Sequence, residues 1–278
     1  MSCWTVVCRD GTFNQDLGEY LARPVPGEWE EWIYPSHHKY RLSVSETESA
    51  WSLAKALAEY LVVVRVDDWL RALLRRRYPS SDLQAEQFIM DRVHNILTAD
   101  PDRVDDRLNW ASAAIFRHAQ QATAVVVDGV QWFLLQDIWR EFEEAIDEAI
   151  DAYLLDEEYH AFVNVLRQLV REAKNRIDWI HVHFQPRRFY FETPAGERVG
   201  DALIDDMLDQ ADAEHGDVGD ILVSALVTLA PRWITVHRGG LEDAGRDILL
   251  AVFDGHVLFC RGCGRCFRPR LDTDQQSF

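Results

Sequence analysis

The chain has 278 residues, 47% of them hydrophobic, with ten tryptophans and a formal charge of −18 at pH 7. That size and composition suit a globular protein with one large core or two smaller ones, and they exclude a disordered chain. The acidic balance argues against general attraction to DNA, RNA or an anionic membrane, so no nucleic-acid partner and no membrane insertion are expected.

The opening MSCWTVVCRDG lacks a basic leader followed by a long apolar run, so no secretory signal is expected. LVVV at 61–64 is cut short by Arg65, and nothing approaches the roughly 20 apolar residues that span a bilayer. These features predict a cytoplasmic protein whose five cysteines stay reduced. CWTVVC predicts a short strand, and residues 24–41 read as irregular because Pro24, Pro26 and Pro35 interrupt them. Ser45 to Glu48 has capping-box spacing and opens a helix carrying Trp51, Leu53, Leu57 and Leu61. Two more helices follow over about 81–97 and 101–120. Arg71, Arg75, Arg76 and Arg77 gather at a helix end, where cations complement the dipole.

Within ATAVVVDGVQWF, two β-like runs flank Asp128-Gly129, a hairpin turn pair. Ile138, Phe142, Ile146 and Ile150 then recur every four residues, and Phe162, Val163, Leu166 and Val170 continue the stripe after an expected new helix start at Asp156. DWIHVHFQ alternates cleanly, and RFYFET answers it across Pro186-Arg187 as a second hairpin strand. An acidic helix at 201–211 carries Asp201, Asp205 and Asp209, with Asp212 just beyond, as a solvated stripe, and an apolar helix spans 217–230. WITVH at 233–237, a helix at 241–253 and HVLFC at 256–260 form a strand–helix–strand crossover, so its strands run parallel.

The fold class that follows is α+β to α/β. A variable, helix-rich N-terminal region over 1–120 precedes an α/β core over 121–278. That core holds a small mixed sheet covered by helices, and it ends in the β-α-β unit and a cysteine-rich loop.

Cys260, Cys263 and Cys266 place three thiols within seven residues, which in a reducing compartment points to metal or redox chemistry. C-x2-C-x2-C opens the bacterial iron–sulfur run, yet Arg270 stands where its fourth thiol would fall. Zinc normally takes four ligands. An iron–sulfur cluster, zinc and unmetallated thiols all stay open. Parallel strands end on one sheet edge, so His237, ending the first, lies nearest Cys260, ending the second. His237 is therefore the first choice for a fourth ligand, ahead of His256, Cys3 and Cys8. His181 and His183 share a strand face with Trp179 and read as facing solvent. His237-Arg238-Gly239-Gly240 reads as a tight turn rather than a phosphate cradle. No nucleophile–base arrangement is assignable, so no catalytic residues are expected.

DGVQWFLLQDIWREFEEAIDEAIDAYLLDEEYHAFVNVLRQLV, RIDWIHVHF, DILVSALVTLAPRWITVH and VFDGHVLFCRGCGRC follow one another in an order that resembles the YtxC-type family of sporulation proteins. The resemblance covers roughly residues 125–266 and includes His237 and the cysteine motif. It carries no catalytic residues over. It implies an association with sporulation and no defined biochemical activity. The absence of an assignable catalytic set favours a non-enzymatic cytoplasmic protein of the sporulation programme that acts through an unidentified protein partner, with the cysteine loop as an optional structural site. The alternative is a redox or sensing protein with an iron–sulfur cluster or zinc on that loop.

Overall fold

The first strand finds its partners far along the chain. β1 (Ser2–Arg9) pairs antiparallel with β3 (His37–Val44), and β3 with β2 (Glu28–Tyr34). β4 (Ala124–Val126) joins β1 in parallel, giving the order β2-β3-β1-β4. In this computed structural model the described residues are 2–9, 17–25, 28–34, 37–44, 47–79, 82–122, 124–173, 177–185, 188–200, 202, 205–207, 218–238 and 241–266. The chain divides into two units, Met1–Leu155 and Asp156–Phe278.

The stretch expected to be irregular at 24–41 is instead mostly the β2–β3 hairpin. The prolines bound the strands rather than break them, and β2 is an edge strand with exposed Ile33 and Tyr34, so little alternation marks it. Helices α1 (Leu17–Ala22), α2 (Thr47–Glu59), α3 (Val66–Arg77), α4 (Leu83–Thr98) and α5 (Pro101–Gln121) complete most of this unit. Ser45, expected to cap α2, lies outside the described residues. Asp82 caps α4 by accepting the Ala85 N–H at 2.8 Å, and Asp100 precedes Pro101 at the start of α5. The arginine knot is ion-paired: Arg71 and Arg75 reach Glu86 at 2.7 and 3.4 Å, and Arg77 reaches Glu143 and Asp147. Val6, Tyr40, Leu57, Ile89, Ile115 and Phe142 lie in the core.

No hairpin forms at Asp128-Gly129. Gly129 has helical dihedrals (φ −68°, ψ −40°), whereas the expected turn needs positive φ. The residues form a single turn α6 (Val127–Gly129) and a π-turn (Val130–Leu134), closed by the Leu135 N–H donating to Val130 O at 3.1 Å. The same device closes α2, where Tyr60–Val64 is a π-turn and the Arg65 N–H donates to Tyr60 O at 3.0 Å. Trp69 and Trp139, each a few residues beyond its π-turn, meet with ring centroids 4.2 Å apart and planes tilted by 34°.

α7 (Gln136–Glu172) runs without the expected restart, and Asp156 sits inside it. In the second unit its Val163, Leu166 and Val170 face the core while Phe162 is exposed. β5 (Trp179–Gln185) and β6 (Arg188–Glu192) form the expected hairpin, followed by β7 (Arg198–Val199). α8 (Val218–Leu229), β8 (Trp233–Val236), α9 (Asp243–Phe253) and β9 (Val257–Phe259) end the described chain. The strand order is β7-β6-β5-β8-β9, with β5–β8 and β8–β9 parallel, so the expected crossover is present. Together the elements make an α+β fold. Asp201, Asp209, Asp212, Gly239 and Gly240 lie outside the described residues. No helix among the described residues is long and apolar enough to cross a membrane.

Strand alternation divides the two faces of this sheet. Ile180, Val182, Phe189, Phe191, Ile234, Val236 and Val257 bury one face in a core with Leu222, Leu226, Leu249 and Val252 of α8 and α9. Each such side chain contributes about 1.5–3 kcal/mol by leaving water. The residues between them, Trp179, His181, His183, Tyr190, Trp233 and Thr235, share the other face.

Candidate metal centre

Register brings the cluster together. β8 and β9 run in one direction with Val236 opposite Phe259, so the next residues, His237 and Cys260, stand level at the same edge. The Cys260 N–H donates to Val236 O at 2.8 Å, and the His237 N–H to Val182 O at 2.9 Å, which fixes both backbones. Beyond Cys260 the chain turns back through Gly262, whose φ of 130° suits a residue without a side chain. That turn carries Cys263 and Cys266 to the imidazole.

One ligand atom from each of His237, Cys260, Cys263 and Cys266 lies within 4.8 Å of all the others. His237 Nδ1 is 3.3 Å from Cys266 Sγ and 3.5 Å from Cys263 Sγ. Cys266 Sγ is 3.7 Å from Cys260 Sγ and 3.8 Å from Cys263 Sγ. Bonds of about 2.3 Å to sulfur and about 2.05 Å to nitrogen in a tetrahedron give edges of about 3.8 Å (S···S) and about 3.5 Å (S···N). Four of the six edges lie near these values, and the other two, from Cys260 to Cys263 and to His237, are within 4.8 Å. In a four-iron cluster each thiolate binds a different iron, which holds the sulfurs farther apart than ligands sharing one ion.

The electrostatics match a cation site. The Gly262 N–H, 3.4 Å from Cys260 Sγ, favours that thiolate, but burial and the neighbouring thiols outweigh it and push the Cys260 thiol up. Backbone N–H groups of Cys266 and Arg265 hold the Cys263 thiol below its ordinary value. Crowded thiolates of this kind become mutually compatible when a cation sits among them. Burial, with the Arg265 charge adding to it, lowers His237, which favours the neutral imidazole that a metal ligand must be.

Around this cluster lies a shell that the alternating DWIHVHFQ signalled without showing its partners. His237 Nε2 is 3.0 Å from His181 Nδ1, the contact that orients a ligating imidazole. His183 stacks between His237 (4.2 Å) and Tyr190 (4.9 Å), both within 10° of parallel. His183 is buried rather than solvent-facing, and burial first, then His237, lowers its pKa to about 4. His183 Nε2 is 3.3 Å from Glu192 Oε2 but outside hydrogen-bond geometry. Arg265 straps the cysteine loop to the β6–β7 turn, donating to Pro194 O at 2.6 Å and Thr193 O at 3.5 Å. Of the other ligands considered from sequence, His256 packs against Trp233 at 4.7 Å, outside the cluster, and Cys8 is buried in the first unit's core. The Cys3 side chain lies outside the described residues.

Fold and site define an α+β protein with a Cys3His cluster at the carboxyl edge of two parallel strands. A family model described as YtxC-like matches residues 52–258, most of the chain, and the protein belongs to that family. The match contains His237 and stops two residues before Cys260. A curated relative named "Uncharacterized protein YtxC", from Bacillus subtilis (strain 168), is 23% identical over 132 residues. That alignment covers 45% of this chain and 47% of the relative, so the chain spans about half the length of the protein it matches. No solved structure matches.

Proposed function

We propose that Cys260, Cys263, Cys266 and His237 hold one structural zinc ion, which fastens the cysteine loop to the ends of β8 and β9. The observation carrying this reading is the tetrahedral spacing of three sulfurs and one nitrogen. Zinc suits a mixed thiolate and imidazole set without geometric preference of its own, and four protein ligands leave no open position for catalysis. The protein then works as a binding component rather than an enzyme. Protein prepared without oxygen should be colourless and contain one zinc per chain, lost in Cys263→Ser. A visible chromophore with several irons per chain, or no metal at all, would overturn the assignment.

The wider setting is likewise a proposal: a cytoplasmic protein of the sporulation programme that acts through a protein partner. Its support is the family resemblance, the acidic composition and a thiol set that a reducing compartment preserves. A fluorescent fusion in a spore-forming host tests it; envelope localisation together with normal sporulation after deletion would refute it.

A further inference from the structure

Beside the cluster lies an open cavity of about 560 Å³, lined by His181, Thr235, Gly264 and Arg265 together with three of the four ligand side chains. We propose that this cavity binds an oxyanion, a carboxylate or phosphate group; the inference rests on the zinc reading because the ion fixes the protons around it.

With the ion on His237 Nδ1, that ring keeps its proton on Nε2 and donates it to His181 Nδ1 at 3.0 Å. His181 Nδ1 is then an acceptor, so the His181 proton resides on Nε2. Nε2 has no hydrogen-bond partner among the described residues. Thr235 is constrained from its other side: its hydroxyl oxygen accepts the Trp179 indole N–H at 2.9 Å, and its own proton meets no acceptor among the described residues. Two residues lining the cavity therefore each carry a neutral donor without an acceptor among the described residues. Arg265 adds a guanidinium, held by two carbonyls and 3.7 Å from Glu192 Oε1, which offsets part of its charge. Glu192 does not line the cavity. Arg238 and Arg261, exposed next to ligands His237 and Cys260, add further positive charge at this edge.

Among the described residues lining the cavity, the sulfurs are the strong acceptors, and on the zinc reading the metal uses them. Donors without acceptors suit a ligand that carries acceptors without donors. Zinc on three thiolates and a neutral imidazole leaves one negative charge. Arg265, Arg238 and Arg261 together outweigh that charge and Glu192, which favours an anionic ligand. The carboxyl ends of parallel strands are also where open α/β sheets place ligands.

The test uses the full, reduced, zinc-loaded chain, titrated separately with inorganic phosphate and with acetate, by calorimetry and by tryptophan emission, since Trp179 bonds Thr235 directly. Saturable binding of either anion is expected, at least tenfold weaker in Thr235→Val and restored in Thr235→Ser, with zinc content unchanged in both variants. The two titrations distinguish a carboxylate from a phosphate site. A chain with one zinc but no saturable binding, or with Thr235→Val binding like wild type, overturns this inference alone. A chain without zinc overturns the metal reading and this inference with it.

Discussion

Free zinc concentration is the perturbation that separates a structural ion from an idle group of thiols. An ion released when the β8–β9 edge opens stabilises that edge by RT ln(1 + [Zn]/Kd), so each tenfold rise above Kd adds about 1.4 kcal/mol. The reporters are amides on or flanking these strands: Ile234 donating to His256 O at 2.9 Å, His237 to Val182 O at 2.9 Å, and Cys260 to Val236 O at 2.8 Å. Hydrogen exchange in zinc buffers under reducing conditions reads each one. Their exchange should slow about tenfold per decade of free zinc, while amides of the β1–β3 ladder stay unchanged. His237→Ala removes one of four donors and the contact to His181, and should flatten the response at low zinc. Exchange that stays constant across about three decades of zinc, or a His237→Ala chain responding like wild type, would refute the reasoning.

Phe142→Ala should cost about 3–5 kcal/mol in denaturant unfolding, because the ring is 1% exposed, packs edge-on to Trp139 at 5.3 Å and lies under Arg107. Gly18→Ala sets a helix-propensity gain of about 1 kcal/mol against a methyl group placed 2.5 Å from Tyr40 Cε1. The Tyr40 ring is buried, and overpacking of that kind costs about 1–3 kcal/mol, so unfolding should report a net loss. Glu86 accepts a 2.7 Å bond from Arg71 that holds its carboxyl below the ordinary value, with the nearby Arg75 charge helping. A carboxylate with a depressed folded pKa stabilises the fold above its unfolded pKa, and that contribution disappears as pH falls through the folded value. Wild type should therefore exceed Glu86→Gln in stability at neutral pH and converge with it in acid; a constant gap would contradict this.

Local signals led to the grouping of His237 with the three cysteines where geometry could be inferred from connection length. The span between WITVH and HVLFC demands a crossover, a crossover demands parallel strands, and parallel strands bring His237 to Cys260. The shell was not legible because its contacts join separate strands: Thr235 faces His181 only through the β5–β8 register, and Arg265 reaches Thr193 across 72 residues. The same blindness hid the first sheet. β4 is three residues long and owes its existence to β1, more than 110 residues earlier, so its pattern mimicked a local hairpin. β2 is held by its ladder to β3, with Trp32 turned to Arg41 and Lys39 rather than to the core, and leaves little hydrophobic rhythm.

β9 contains only three residues and borders the sheet, with its middle residue Leu258 exposed. A strand that short holds weakly to β8, and beneath it lies an apolar ribbon whose amide and carbonyl groups would template pairing with other chains once uncovered. The metal proposed at the end of β9 would guard that ribbon. Metal starvation would then first show as loss of solubility, with molecules joining edge to edge while the remainder of each sheet stayed folded.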